Sequence, residues 1–148
     1  MDTENITTKE SGLVYSVITP VYNESESLAN FHERLMKIIH ELDIKYEWII
    51  VDDHSSDSSY DYIADIAMKN ECIRGIRLSK NHGSHLAITA GLHLSKGDSA
   101  IVMATDLQDP PETIPKLIKK WKEGAQIVWA VRSAREGETA VTKGFSRF

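Results

Sequence analysis

The chain has 148 residues, 41% of them hydrophobic and 26% charged, with a formal net charge of −5 at pH 7. This length and composition suit one globular domain with a sizeable core, and an acidic balance without a basic run excludes nucleic acid as the expected partner. The single Cys72 excludes an internal disulfide and fits a reducing compartment, and no apolar run approaches the about 18 residues of a membrane span.

Residues 1–11 carry no period and are expected to be a loose tail before a domain over 12–148. They lack the apolar stretch of a signal peptide, so the expected location is cytoplasmic, with membrane association only if a longer natural chain exists. Leu13 to Thr19 is rich in β-branched residues and stops at Pro20, which predicts a buried strand. A helix follows with Leu28, Phe31, Leu35, Ile38, Ile39 and Leu42 on one face, and Asn23 with Glu26 as its capping pair. Tyr46 to Val51 is the second strand and ends at Asp52-Asp53. Ser55, Ser56, Asp57 and Ser58 supply N-cap candidates for a helix whose inner face is Ile63, Ile66 and Ala67.

Ile73 to Leu78 is a third strand, Lys80 to Ser84 a loop, and His85 to about Leu94 a helix. After the turn Lys96-Gly97-Asp98, Ser99 to Ala104 is the fourth strand. Ile114, Leu117, Ile118 and Trp121 form the inner stripe of the next helix, which Gly124 ends, and Gln126 to Val131 is expected as a fifth strand. Strand alternating with helix predicts an α/β fold: a doubly wound, mainly parallel sheet with helices on both faces. The charged and glycine-rich Arg132–Phe148 ends on two aromatics and reads as an element cut short, so the domain is expected to be truncated at its C-terminal end.

Three strand ends carry polar groups: Pro20-Val21-Tyr22-Asn23-Glu24, Asp52-Asp53-His54-Ser55, and Asp106-Leu107-Gln108. In a parallel sheet these ends share one edge, and if strands one and four are neighbours their loops form the crevice where such sheets bind ligands. An acid at the end of the second strand suits a ribose hydroxyl or a base edge, and Asp52 and Asp53 are the candidates. Asp106 and Gln108 are hard oxygen donors of the type Mg²⁺ or Mn²⁺ prefers. The plainer reading makes the last segment a helix cap, with Asp109 at N-cap, Pro110 at N1 and Glu112 closing a capping box. The two readings use different residues and are compatible.

No G-x-G-x-x-G follows the first strand and no P-loop pattern occurs, so phosphates lack a glycine cradle. A divalent cation is the natural replacement, neutralising a diphosphate and assisting its departure. Arg132, at the end of the expected fifth strand, is a candidate phosphate contact. The histidines, among them His82, His85 and His93, lack H-E-x-x-H spacing and cysteine partners, which argues against zinc. Lys80 and His82 either line the donor pocket or cap their loop.

Val17-Ile18-Thr19-Pro20-Val21-Tyr22-Asn23-Glu24, Val51-Asp52-Asp53-His54-Ser55-Ser56-Asp57 and Asp106-Leu107-Gln108-Asp109-Pro110-Pro111-Glu112 together resemble family 2 glycosyltransferases. The last form, with Lys80-Asn81-His82-Gly83, Ala90-Gly91-Leu92, Lys96-Gly97-Asp98 and Val131-Arg132-Ser133-Ala134-Arg135, is most similar to the branch of dolichyl-phosphate mannose synthase and bacterial polyprenyl-phosphate glycosyltransferases. The resemblance spans residues from about 13 to 148 in order. It implies the GT-A fold with a Rossmann-like nucleotide-binding half and a UDP- or GDP-linked sugar donor transferred with inversion. It further implies an acceptor such as a lipid phosphate or glycan, and a role in cell-envelope or polysaccharide synthesis.

Residue by residue, the resemblance implies that Pro20, Tyr22 and Glu24 contact base and ribose, and that Asp53 hydrogen-bonds the base with Asp52 beside it. Asp106 and Gln108 would bind the metal and through it the diphosphate, and Arg132 would contact the donor phosphates. The first acid of the family's Asp-x-Asp motif falls on Ala104, which leaves Asp106 as its lone carboxylate. The family's catalytic base lies beyond the nucleotide-binding half, so no residue is assigned that role, and the oligomeric state is left open. A phosphorylation receiver using Asp52, Asp53 and Asp106 is the rival from another class. It is disfavoured because a complete strand and helix precede Asp52 and the gap to Asp106 is long. A nucleotidyltransferase would want a glycine-rich basic loop where Pro20–Glu24 stands.

Overall fold

The computed structural model describes residues 12–106, 108 and 110–130. The chain divides into two units, Met1–Pro115 and Lys116–Phe148. The elements of the first are β1 (Val14–Val21), α1 (Ser25–Leu42), β2 (Lys45–Asp52), α2 (Ser59–Lys69), β3 (Ile73–Arg77), α3 (Ser84–Leu94) and β4 (Ser99–Val102). A short 3-10 turn, Pro111–Thr113, then leads into α4 (Ile114–Lys122).

The four strands form one parallel sheet in the order β3-β2-β1-β4. The chain winds outward from β1 through β2 to β3, then returns to the other side of β1. The order therefore reverses between β1 and β4, and a switch-point crevice opens there. Backbone pairing runs beyond the strands: Asp53 N–H donates to Val21 O at 2.8 Å and Met103 N–H to Ile18 O at 2.9 Å.

Strand alternation assigns the two faces. Ile18, Ile49 and Val51 point to the face covered by α3 and pack with Ala87, while Ala90 and Leu94 close the layer. Gly91 allows this contact, because a Cβ there would stand 2.5 Å from Ile18 Cγ2. Trp48 points the other way and meets Phe31 and His32 of α1 at ring distances of 5.9 and 5.3 Å. Its indole N–H, fully buried, donates to Thr19 Oγ1 at 2.9 Å. Ile63 of α2 packs on the same face, over Gly75. Helices thus lie on both faces, as the alternation predicted.

Several local expectations are corrected. The N-cap of α1 is Glu24, whose own side chain makes no capping bond, so Asn23 and Glu26 do not form the expected capping pair. Asn23 sits at φ 53 and directs its side chain to another loop instead. In the turn before α4 the N-cap is Pro110 and the proline at N1 is Pro111. Glu112, expected in a capping box, forms a bidentate pair with Arg34 of α1 at 2.9 and 2.7 Å. Asp109 lies outside the described residues.

In the second unit, Lys120 pairs with Glu123 at 2.6 Å, and Gly124, at φ 104, donates its N–H to Trp121 O. Residues 126–130 form no strand, contrary to expectation. An apolar run takes strand geometry only where a ladder and a covering layer are available. Here Ile127 and Trp129 are 72% and 79% exposed, with no strand partner among the described residues. The expected tail over 1–11, Arg132 and the rest of 131–148 lie outside the described residues. Among the described residues no helix is long and apolar enough to cross a membrane.

Candidate nucleotide-sugar site

Asp52 and Asp53 are neighbours in sequence and separate in structure, because β2 ends between them. Asp52 is fully buried. Its oxygens accept the Ser55 N–H, and it pairs with Arg77 Nε at 3.3 Å. Arg77 also donates to Ser55 O at 2.8 Å and lies over the Tyr60 ring at 4.9 Å. This side chain therefore holds the loop after β2 from beneath. Asp53 turns toward α3. Its two oxygens accept the N–H groups of His82 and Gly83, each at 2.7 Å.

The loop after β2 also holds the loop after β1. Asn23 N–H donates to Ser55 Oγ at 2.9 Å, Glu24 N–H to Ser59 Oγ at 2.9 Å and Ser25 N–H to Asp57 Oδ2 at 3.1 Å. In return Asn23 Oδ1 accepts from Ser56 N–H at 2.8 Å. Asp57 caps α2 as well, taking the Ser59 N–H at 2.9 Å. Desolvation opposes the Asp57 charge, but these bonds to Ser59 and Ser25 outweigh it and lower its pKa from 3.8 to about 2. Sequence reasoning took Ser55 and Asp57 for helix caps only. Their further role needed the spatial neighbourhood of β1 and β2, which local spacing does not report.

Between the β1 and β4 ends lies a cleft of about 280 Å³. It brings together Pro20, Tyr22, Glu24, Asp53 and Asp106, five of the residues singled out from sequence. Asp52 is not in its lining, nor is Gln108, whose N–H donates to Asp106 Oδ1 at 3.1 Å. Lys80 and His82 do not line it either, while Ser84, Ala104 and Thr105 do. Ser84 was missed by sequence reasoning. The only signal for it was the helix start after Gly83.

Tyr22 is half-exposed, offering an aromatic face. Glu24 is held by Ser27, whose hydroxyl donates to Oε2 at 2.6 Å. Among the described residues the lining thus carries three carboxylates, on Glu24, Asp53 and Asp106, and no lysine, arginine or histidine. Such a wall suits donor groups such as ribose hydroxyls and ring N–H, and it repels a bare phosphate.

The glycosyl transferase family 2 model matches residues 16–148. The chain belongs to glycosyl transferase family 2. It is 40% identical over 126 residues to an uncharacterized glycosyltransferase of Synechocystis sp., covering 85% of this chain and 40% of that protein. It is 43% identical over 122 residues to the undecaprenyl-phosphate 4-deoxy-4-formamido-L-arabinose transferase of Serratia proteamaculans, covering 82% of this chain and 37% of that one. The chain therefore spans about two fifths of the length of the curated relatives it matches.

Among solved structures it is similar to the mannosyltransferase PcManGT of Pyrobaculum calidifontis in complex with GDP-Man and Mn²⁺. That match has a TM-score of 0.61 and 20% identity, over 71% of this chain and 31% of that one. S. aureus TarS residues 1–349 match with a TM-score of 0.59 and 21% identity, over 75% and 33% of the two chains. At these identities the likeness shows the fold, which is GT-A.

The family's metal finds a sparse donor set here. Among the described residues no three His, Cys, Asp or Glu side chains group to hold a metal ion. Ala104 lines the cleft where a second acid would stand, and Asp106 is exposed. Mg²⁺ and Mn²⁺ tolerate this, since Mg²⁺ in particular is often held by one or two carboxylates with substrate phosphates and water. The residues fit a metal that arrives with a diphosphate. The receiver reading finds no support: Asp52 is committed to Arg77 and Asp53 to the 82–83 backbone, leaving no free acidic pair.

Proposed function

We propose that this chain is the nucleotide-sugar-binding domain of an inverting glycosyltransferase using a UDP- or GDP-linked donor. The observation that carries this reading is the convergence of the β1, β2 and β4 ends on one cleft whose lining, among the described residues, is carboxylate-rich. Pro20, Tyr22, Glu24 and Asp53 line the nucleoside end, with Tyr22 as the aromatic face. Asp52 serves from beneath by fixing the Ser55 loop. Asp106 holds Mg²⁺ or Mn²⁺ with Gln108 beside it, and Arg132 adds positive charge at the donor phosphates. The bound cation supplies charge neutralisation for the departing diphosphate.

In the reaction, an acceptor oxygen bonds to the anomeric carbon from the face opposite the diphosphate. The carbon–oxygen bond to the β-phosphate breaks, and its electron pair leaves with the nucleoside diphosphate. The name of the Serratia relative supports a polyprenyl phosphate as acceptor. A phosphate oxygen is already anionic near neutral pH, so such an acceptor lessens the need for a strong base. Association with a membrane would follow from that acceptor.

Calorimetric titration with UDP and GDP, with and without Mn²⁺, tests the reading. Saturable binding of at least one nucleotide, strengthened by Mn²⁺, is expected. Asp106→Asn should abolish the Mn²⁺-dependent gain. A folded protein that binds neither nucleotide refutes the proposal, and a gain that survives Asp106→Asn refutes the metal assignment.

A further inference from the structure

Resting on the reading of Asp106 as the carboxylate that meets the metal, we infer that Arg34 and Glu112 are positioning residues: their ion pair clamps the loop after β4 to α1 and so sets where Asp106 stands relative to Glu24. The two lie 78 residues apart in sequence. Arg34 Nε donates to Glu112 Oε1 at 2.9 Å, and Nη2 donates to Oε2 at 2.7 Å. Most surface ion pairs contribute little, because two long side chains lose freedom and solvent screens the charges. This one is a two-bond fork between planar groups, the geometry in which such pairs do hold. The bonds from Arg34 hold the Glu112 carboxyl below the usual carboxylate range, and Lys37 adds a weaker attraction.

The pair stands between two parts of the cleft wall. The N-cap of α1 is Glu24, which lines the cleft. Asp106 lines it from the loop after β4. The chain from Asp106 to Glu112 is short and carries Pro110-Pro111. Proline fixes φ, so this stretch has few torsions free to absorb a displacement of its far end. Pro110 O accepts the N–H and the hydroxyl of Thr113, at 2.9 and 2.8 Å, which closes the turn around Glu112. Pro111 and Ile114, close on either side of Glu112, are buried, and the turn lies against α1. Apolar burial holds the turn to the helix without fixing its direction, whereas the fork admits one orientation.

Asp106 needs such support. It is exposed, and the bond recorded to its carboxylate comes from Gln108 N–H at 3.1 Å, within the same loop. With Ala104 in the cleft where a second acid would stand, metal affinity depends on how well this one carboxylate is placed. A clamp for placement and a general brace for the fold differ in what they weaken. Loss of placement lowers the gain in nucleotide affinity that the metal brings. Loss of a brace lowers affinity with and without metal alike. Glutamine at either position removes the charge and the fork while keeping most of the side chain, and both side chains reach solvent, so the core is untouched.

The experiment measures affinities for UDP and GDP, with and without Mn²⁺, for the wild type, Arg34→Gln, Glu112→Gln and the double variant. It also measures amide hydrogen exchange of the nucleotide-free proteins. Each single variant should cut the Mn²⁺-dependent gain by about threefold to tenfold, and the double variant should cut it no further, because the pair acts as one unit. Affinity without Mn²⁺ should stay within about twofold of wild type. The Gln108 and Thr113 amides should exchange faster in all three variants while the β1 and β2 amides stay protected. The inference is overturned if either single variant keeps the full gain, if the two losses add in the double variant, or if affinity falls equally without metal. Unchanged exchange at Gln108 and Thr113 overturns it as well. If the wild type binds neither nucleotide, the reading of the cleft fails as a separate result, and the exchange comparison still decides whether the pair clamps the loop.

Discussion

Asn23 accepts the backbone N–H of Ser56 on its side-chain oxygen at 2.8 Å, and so ties the loop after β1 to the loop after β2. The tie needs Asn23 at φ 53, a conformation that asparagine tolerates better than most residues. Tyr22 and Glu24, on either side of it, line the cleft. The cleft wall is therefore held from behind by a residue that does not itself face it.

Asn23→Ala should cost about 1–2 kcal/mol of stability, from backbone strain and lost hydrogen bonds, and should weaken nucleotide binding. Asn23→Gly relieves the strain but restores none of the bonds. Its urea midpoint should recover toward wild type while its nucleotide affinity stays low. Recovery of both by glycine would show that the hydrogen bonds do not shape the cleft.

Asp57 predicts an acid dependence. Its folded pKa, about 2, lies below the ordinary 3.8, so its contribution to stability is complete above 3.8 and is lost as pH falls through about 2. Urea midpoints measured over a pH series should fall across that window. Asp57→Asn should flatten part of the fall and leave the rest to other carboxylates. An identical slope in the variant would contradict the bonds assigned to Ser25 and Ser59.

Gly91 marks a close approach of α3 to the sheet. An added Cβ would stand 2.5 Å from Ile18 Cγ2 and 3.3 Å from Val51 Cγ2. Overpacking of this kind costs about 1–3 kcal/mol, and alanine's better helix propensity returns only about 1. Gly91→Ala should thus lower the urea midpoint, although alanine favours helices. A raised midpoint would mean that the α3 layer gives way easily.

The β-branched runs, helical stripes and order of elements made the parallel sheet legible in the sequence, but the β1–β4 adjacency was only a condition there, which the strand order meets. The division of labour between Asp52 and Asp53 was not legible, because it depends on the strand ending between them and on Arg77 arriving from β3. Glu112 has the spacing of a capping box, yet Arg34, distant in sequence, offers it a bidentate partner. Gln126–Ala130 has a strand's composition, but composition records only an appetite for burial. Whether a ladder is available is a property of the whole sheet.

The central claim is that the cleft between β1 and β4 takes a nucleoside diphosphate. Backbone amide shifts recorded by NMR during titration with UDP or GDP and Mg²⁺ test it most directly. The account predicts that the largest changes fall on Tyr22, Asp53, Ser84 and Asp106, with little change at the opposite strand ends near Val14 and Gly97. Saturable changes centred elsewhere on the molecule, with these four amides unmoved, would contradict it.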